Sequence, residues 1–384
     1  MPHHSDDSMS YAGYLDHNAT TPVRAEVAAA TAAMLTMTGN PSSVHRYGRE
    51  VRRRLEDARE RVAALVGATP GEVVFTSGGT EANALAMLGS GRRRVLISAI
   101  EHASVQAATD RAERVPVTAD GVIDCRALES MLGTDRTPAL IAVMLANNET
   151  GVIQPIAEVA ALARRHGALV HCDAVQAAGK VPLDVAAIAV DFLSLSAHKI
   201  GGPAGVGALI VRGEASLAAQ LRGGGQERGR RAGTENIAGV VGFGVAAEIA
   251  LAELSAAGRL ARWRDDLERR VTALAPDARV FGIGVERLPN TSCHAMPGVA
   301  SAVQVMAFDL AGIAVSAGSA CSSGKVGRSH VLSAMGVEAE EAARAIRVSF
   351  GWTTTRQDVE GYVDAWGALY ARGRARSGPA ASAA

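Results

Sequence analysis

The sequence predicts an α/β protein built on a mostly parallel sheet, with a smaller α+β domain after it. Three observations lead there. Between about residues 50 and 255, short apolar runs alternate with stretches of helical periodicity. The runs are apolar at successive positions, as expected of strands covered by helices on both faces. After about residue 245 the texture changes to helix rich in Ala, Leu, Glu and Arg, then to shorter mixed elements. The chain's 384 residues, 48% hydrophobic and 20% charged, are ample for two globular cores.

Taken in order, Val51, Leu55, Ala58, Val62 and Leu65 recur at three- and four-residue spacing and predict a helix over 50–66. Buried strands are expected at Val73–Phe75, Val95–Ile97, Leu140–Leu145, Ala168–His171, Phe192–Leu195 and Ala208–Val211, with helix between them, as at Ile156–His166. Residues 246–274 read as one long helix. Further strands are expected near Ser292 and at Ile346–Val348, and a weaker one at Arg279–Phe281. The expected division is a large domain over 15–255, a small domain over 256–372 joined by residues 1–14, and a disordered tail over 373–384. No internal repeat is visible.

Composition narrows the function. Lys+Arg and Asp+Glu are both 39, so the basic excess of a general nucleic-acid binder is missing. No apolar run reaches the roughly 18 residues of a membrane span. Met1–Asp7 is polar and partly acidic, unlike a secretory signal. Cys125, Cys172, Cys293 and Cys321 lie far apart with no CxxC pair, which disfavours a disulfide framework or a cysteine-only zinc site. The expectation is a cytoplasmic enzyme with reduced thiols.

Ligands of open α/β sheets bind beyond the carboxyl ends of the strands, so the residues that follow each strand matter most. Five successive strands end in polar or ionisable groups: Thr76–Glu81, Ser98–His102, Ala146–Glu149, Cys172–Gln176 and Ser196–Lys199. Ser77-Gly78-Gly79-Thr80 is either an ordinary tight turn or an anion site made of backbone amides and a helix N-terminus. It is no P-loop, because no Gly-Lys-Ser/Thr follows, and Gly202–Gly207 lacks the dinucleotide spacing. Asp173 is either a helix N-cap or the partner of a buried ring cation. Lys199 is either surface decoration or a desolvated amine suited to Schiff-base chemistry. An Asp for a pyridinium nitrogen, a Lys for an aldehyde and a glycine turn for a phosphate form the set that pyridoxal phosphate requires.

These residues also carry a resemblance. Ser194-Leu195-Ser196-Ala197-His198-Lys199 is similar to the cofactor-lysine motif of the class V aminotransferases. Together with Leu15–Pro22, Gly39–Ser43, Phe75–Glu81, Asn147–Gly151 and Gly223–Glu227, it resembles the cysteine desulfurases of the NifS/IscS type, from about Tyr14 to about Thr354. Ser316–Gly324 resembles the loop that carries the persulfide cysteine, here Cys321, in the first desulfurase group. The small, glycine-rich sequence up to Leu332 suits a mobile loop. One departure is Gly324-Lys325-Val326-Gly327-Arg328, where many relatives have an acidic-proline pair. Lys325 and Arg328 are either solvated loop charge, or a source of thiolate stabilisation or acceptor docking.

The resemblance implies fold type I of the pyridoxal phosphate enzymes, with a seven-stranded sheet in the large domain. It implies removal of sulfur from L-cysteine, giving L-alanine and a persulfide on Cys321. Lys199 would hold the cofactor and move the substrate α-proton, and Asp173 would keep the pyridine nitrogen protonated. Gln176 would donate to the phenolic oxygen. His102 would stack on the ring and act as acid/base; taken alone it reads rather as a satisfied structural histidine. Thr80, Ser196 and His198 would bind the phosphate with the Gly79 backbone, and Thr234 would reach the partner subunit's phosphate in a homodimer. Asn148 and Arg347 would clamp the substrate carboxylate; Arg347 taken alone is either a surface ion pair or, among Ile346, Val348 and Phe350, an inward charge. An acceptor protein such as an iron–sulfur scaffold would receive the sulfur, with Cys321 as a transient [2Fe–2S] ligand by resemblance alone. Selenocysteine lyase or transaminase activity on the same fold is the alternative.

Overall fold

The computed structural model describes residues 11–213, 215–318 and 328–377. Seven strands form the first sheet: β1 (Val73–Thr76), β2 (Arg94–Ser98), β3 (Glu113–Val115), β4 (Ala139–Ala142), β5 (Leu169–Asp173), β6 (Phe192–Ser196) and β7 (Gly207–Val211). Their order is β1-β7-β6-β5-β4-β2-β3. Only β7 runs antiparallel to its neighbours, so β1, β2, β4, β5 and β6 point the same way. Five carboxyl ends therefore meet along one edge.

Alternation along the strands sorts side chains into two layers. Leu96, Ile141, Val170, Leu193 and Ile210 face one core, with the helices Arg46–Leu65, Ile156–Arg165 and Ile237–Ala252 against it. Val95, Ile97, Leu140, Phe192 and Leu209 face the other, under the helix Gly79–Gly89. Both faces are dry, which is why these strands read as continuous apolar runs.

The second sheet is antiparallel: β8 (Arg279–Val280), β9 (Thr291–Ala295), β10 (Ser316–Ala317) and β11 (Ala345–Ser349), in the order β10-β11-β9-β8. Ile346 and Val348 face a core with Leu15, Phe308, Tyr362 and Trp366. The N-terminal segment joins this sheet through bridges from Tyr14 to Ala314 and from Asp16 to Ser349. It then crosses to the first sheet, where Thr21 N–H donates to His198 O and Arg24 N–H to Gly201 O.

Several expectations need correction. Residues 246–274 are not one helix. Ile237–Ala252 ends at Glu253, a 3-10 turn spans Leu254–Ala256, and a second helix, Ala257–Leu274, departs at 50°. No Pro or Gly marks the break; Glu253 is pinned there by an ion pair to Arg24, and the two helices serve different cores. The apolar run Leu140–Leu145 is strand only to Ala142, because Met144 N–H donates to Glu101 Oε1 and the chain folds back at the Ala146–Ile153 bridge. The last helix continues to Ser377, so residues 373–377 are not a disordered tail; 378–384 lie outside the described residues. The strands Glu113–Val115 and Ser316–Ala317 were not foreseen: the first is an edge strand of three residues and the second has only two. Among the described residues no single helix is long and apolar enough to cross a membrane.

Candidate active site

A cavity opens at the shared carboxyl edge of the first sheet. The helix Gly79–Gly89 places Gly79 and Thr80 at its rim with the first-turn amides, whose N–H groups have no intrahelical acceptor. A Cβ at Gly79 would lie 2.9 Å from Val175 Cγ2, so glycine lets this turn pack against the loop after β5. Ser196 ends β6, and the 3-10 turn Ala197–Lys199 brings His198 and Lys199 to the same cavity. Burial, with Lys199 and Lys180 nearby, lowers the His198 pKa to about 4, so its imidazole is neutral near pH 7.

Asp173, the last residue of β5, is buried. Its Oδ2 accepts from Asn83 Nδ2 at 2.8 Å and its Oδ1 from Val175 N–H at 3.0 Å. Both donors are neutral. A buried carboxylate with only neutral partners is costly, and a cationic ring nitrogen would relieve that cost. Lys199 Nζ donates to Ala19 O at 2.7 Å and to Asn18 O. Gln176 Nε2 donates to Asn18 O at 2.9 Å, and its Oε1 accepts from Lys180 Nζ at 2.8 Å. The amide is thereby oriented, with one N–H used and one left to serve the cavity that Gln176 lines.

His102 caps the helix Ala103–Gln106. Its Nδ1 accepts from Ser104 N–H at 3.2 Å, which leaves Nε2 as the protonated nitrogen of the neutral ring. His102 and Asn148 both line the cavity. Beside them Glu101 is fully buried; Met144 N–H donates to its Oε1, and burial holds its pKa far above the carboxylate range.

Arg347 and Thr234 do not line this cavity. Arg347 is 2% exposed; its Nη2 meets Asp16 Oδ1 at 2.7 Å and its Nη1 donates to Asn148 O at 3.0 Å, while its Nε is buried without a partner. Alternation sets it on the face opposite Ile346 and Val348, where Asn148 and Asp16 meet it. Thr234 is exposed. Cys321, Lys325 and the iron–sulfur role of Cys321 lie outside the described residues. Among the described residues no group of three or more His, Cys, Asp or Glu is arranged to hold a metal. Cys125, Cys172 and Cys293 are free, and burial raises each thiol pKa, to about 12 for Cys125 and far above the usual range for Cys172. Thiolate character is thus suppressed at all three.

Sequence reading missed Asn83, Ser104, Asn18 and Lys180. Asn83 sits one helical turn after Gly79, and Ser104 two residues after His102, so local spacing held a signal for both. Asn18 gave none. Its carbonyl receives Lys199 and Gln176, its Oδ1 receives Lys180 and Asn290, and its Nδ2 donates to Thr291 Oγ1, all through distant contacts.

The donor set fits pyridoxal phosphate. It offers an amine for the aldehyde, a buried carboxylate lacking a cation for the ring nitrogen, an amide for the phenolic oxygen, and a helix N-terminus with Ser, Thr and neutral His donors for the phosphate. Comparisons with known proteins agree. The model of the Aminotransferase class-V family matches residues 13–361. A cysteine desulfurase from Cereibacter sphaeroides is 46% identical over 362 residues, covering 90% of this chain and 92% of the relative. The structure of a NifS-like protein from Rickettsia africae superposes with a TM-score of 0.86 at 34% identity, covering 93% of this chain and 99% of that one. SspA, solved in complex with cysteine, gives 0.76 at 29% identity over 88% of this chain and 98% of its own. The chain therefore belongs to the class-V aminotransferase family and, within it, to the group of NifS/IscS-type cysteine desulfurases.

Proposed function

We propose that this protein is a pyridoxal phosphate-dependent cysteine desulfurase that takes sulfur from L-cysteine, releases L-alanine and leaves a persulfide on Cys321. The observation that carries this reading is the convergence of Lys199 and Asp173 with His102, Gln176 and the Gly79–Thr80 turn around one cavity. When bound, the cofactor supplies an electrophilic carbon for the substrate amine and a cationic ring that accepts electron density from Cα.

The chain's own residues do the rest. Lys199 would hold the aldehyde, and its amine would move the Cα proton. Asp173 holds a proton at the ring nitrogen, and Asn83 fixes the carboxylate. Gln176 donates to the phenolic oxygen. His102, turned by Ser104 so that Nε2 carries the proton, would cover the ring and exchange protons with the substrate. Thr80, Ser196, His198 and the Gly79 backbone hold the phosphate. Asn148 binds the substrate carboxylate together with Arg347, which must first loosen its hold on Asp16. The Cys321 thiolate attacks the substrate sulfur; an S–S bond forms as the Cβ–S bond breaks, and the electron pair of that bond leaves with Cβ.

The proposal includes a homodimer, supported by the exposure of Thr234, and a sulfur-acceptor protein such as an iron–sulfur scaffold, with Cys321 as a transient [2Fe–2S] ligand. A cytoplasmic setting suits a thiol that must stay reduced. The test is product analysis with L-cysteine: equimolar alanine and protein-bound sulfur support the reading. A keto acid in place of alanine indicates a transaminase, and turnover confined to selenocysteine indicates a lyase.

A further inference from the structure

Glu149 belongs to the loop after β4, one residue beyond Asn148 of the cavity, yet nothing in the mechanism above uses it. Its backbone is fixed: Asn147 Oδ1 accepts from Glu149 N–H at 2.9 Å and from Thr150 N–H at 3.0 Å, and Asn147 Nδ2 donates to Ile100 O at 3.1 Å. Its side chain is buried and reaches two points far away in sequence. Ser329 Oγ–H donates to Glu149 Oε2 at 2.6 Å, while Ser329 Oγ also caps the helix His330–Ala334 by accepting from Leu332 N–H at 3.0 Å. Gly318 presses on the same oxygen so closely that a Cβ there would lie 2.8 Å from Oε2. Gly318 stands three residues before Cys321 and Ser329 eight after it. One carboxyl oxygen thus bonds Ser329 on one flank of the stretch that carries the nucleophile and fills the space where a Cβ on Gly318 would stand on the other.

We propose that Glu149 is a positioning residue for sulfur transfer to Cys321, fastening Gly318 and Ser329 to the strand-end loop that lines the cavity. The inference rests on the desulfurase reading and deepens it. A hydrogen bond made in a dry environment holds its partners tightly, and removing one member leaves the other unsatisfied. Displacing a reacting group by about 1 Å costs on the order of 10²-fold in rate. Glu149 is also raised to a pKa of about 7, first by burial, with Ser329 and Arg347 opposing. A protonated carboxyl still accepts from Ser329, so the fastening persists in either form.

The test separates two half-reactions of the cofactor-loaded protein: the absorbance change on adding L-cysteine, and persulfide formation on Cys321 followed by thiol trapping and mass spectrometry. Glu149→Ala is expected to slow persulfide formation about 10–100-fold, with the absorbance change kept within about threefold. Glu149→Gln, which retains an acceptor for Ser329, should recover most of the rate. Gly318→Ala, which crowds Oε2 without touching the cavity, should slow persulfide formation selectively and decides the matter if Glu149→Ala does not fold. Unchanged persulfide formation in Glu149→Ala or Gly318→Ala overturns the proposal. An equal loss in both half-reactions also overturns it, because that signals general disruption. If the parent protein forms no persulfide at all, the desulfurase reading fails instead, and the parent control shows this before any variant is read.

Discussion

The two sides of the cleft treat charge in opposite ways. On the first-sheet side, Asp173 is a buried carboxylate satisfied only by neutral donors, Asn83 Nδ2 and Val175 N–H. On the second-sheet side, Asp16 is bound by Arg347 and also accepts from Ser316 Oγ at 2.7 Å. Among the described residues, one side holds a carboxylate whose hydrogen-bond donors are neutral. The other holds a charge already paired within the chain. The first arrangement suits a resident cofactor whose cation completes the site. The second suits a transient ligand, because a substrate carboxylate can compete with Asp16 for Arg347 and the pair can re-form after release.

Variants can break this contrast. The largest effect is expected at Lys199. Lys199→Ala should lose about 10³-fold or more in turnover, together with the visible absorbance of the bound cofactor. A normal spectrum in that variant defeats the assignment. Cys321→Ser should abolish sulfur release from L-cysteine while keeping that absorbance. Retained turnover there removes the nucleophile from the mechanism. Asp173→Asn should lower turnover by about 10²–10³-fold, since an amide cannot hold the ring nitrogen protonated; near-normal turnover would mean that the buried charge has a purely structural use.

On the paired side the signature is stability. Asp16→Asn leaves the Arg347 guanidinium buried without its counter-charge, a loss of about 3 kcal/mol in urea unfolding, with a several-fold change in KM for L-cysteine. Asp16→Asn as stable as the parent would show that the pair is not holding the second sheet's edge in place.

The smallest effect is on pH. Burial lowers His17 to about 3 and His171, His198 and His294 to about 4. Each folded pKa lies below the unfolded value near 6.5, so each contribution is present above pH 6.5 and is lost as pH falls towards 4. Glu149 works the other way. Its folded pKa of about 7 exceeds its ordinary 4.5, so its contribution is present below 4.5 and fades as pH rises through 7. Glu101 and Asp191, also raised by burial, act in the same direction as Glu149. The four histidines still outnumber these three carboxyls, and net stability should fall on acidification from pH 6.5 to 4. Glu149→Gln should steepen that fall slightly in denaturant unfolding across the range; a shallower slope contradicts the sign.

The strand ends were readable because each is local. A buried strand shows as an apolar run, and the group that follows lands on the carboxyl edge with no further information. That placed Gly79, Thr80, His102, Asn148, Asp173, Gln176, Ser196, His198 and Lys199. The break after Ala252 was not readable, because Ala, Leu and Glu continue through it and only Arg24, 229 residues earlier, marks the place.

Sequence by itself determined which residue types stand at the ends of parallel strands, since strand polarity and a two-residue side-chain period need no partner to be specified. It also set Arg347 on the strand face opposite Ile346 and Val348, and left the burial of that face open. Tertiary structure alone decided what those groups touch. The Asn83 amide on Asp173, the Asp16 carboxylate on Arg347, the Asn18 carbonyl under Lys199 and the Glu149 oxygen at Ser329 join residues from 90 to 331 positions apart. Such contacts depend on how distant elements pack, within the layers of the first sheet as well as between the two sheets, and no local periodicity encodes that packing.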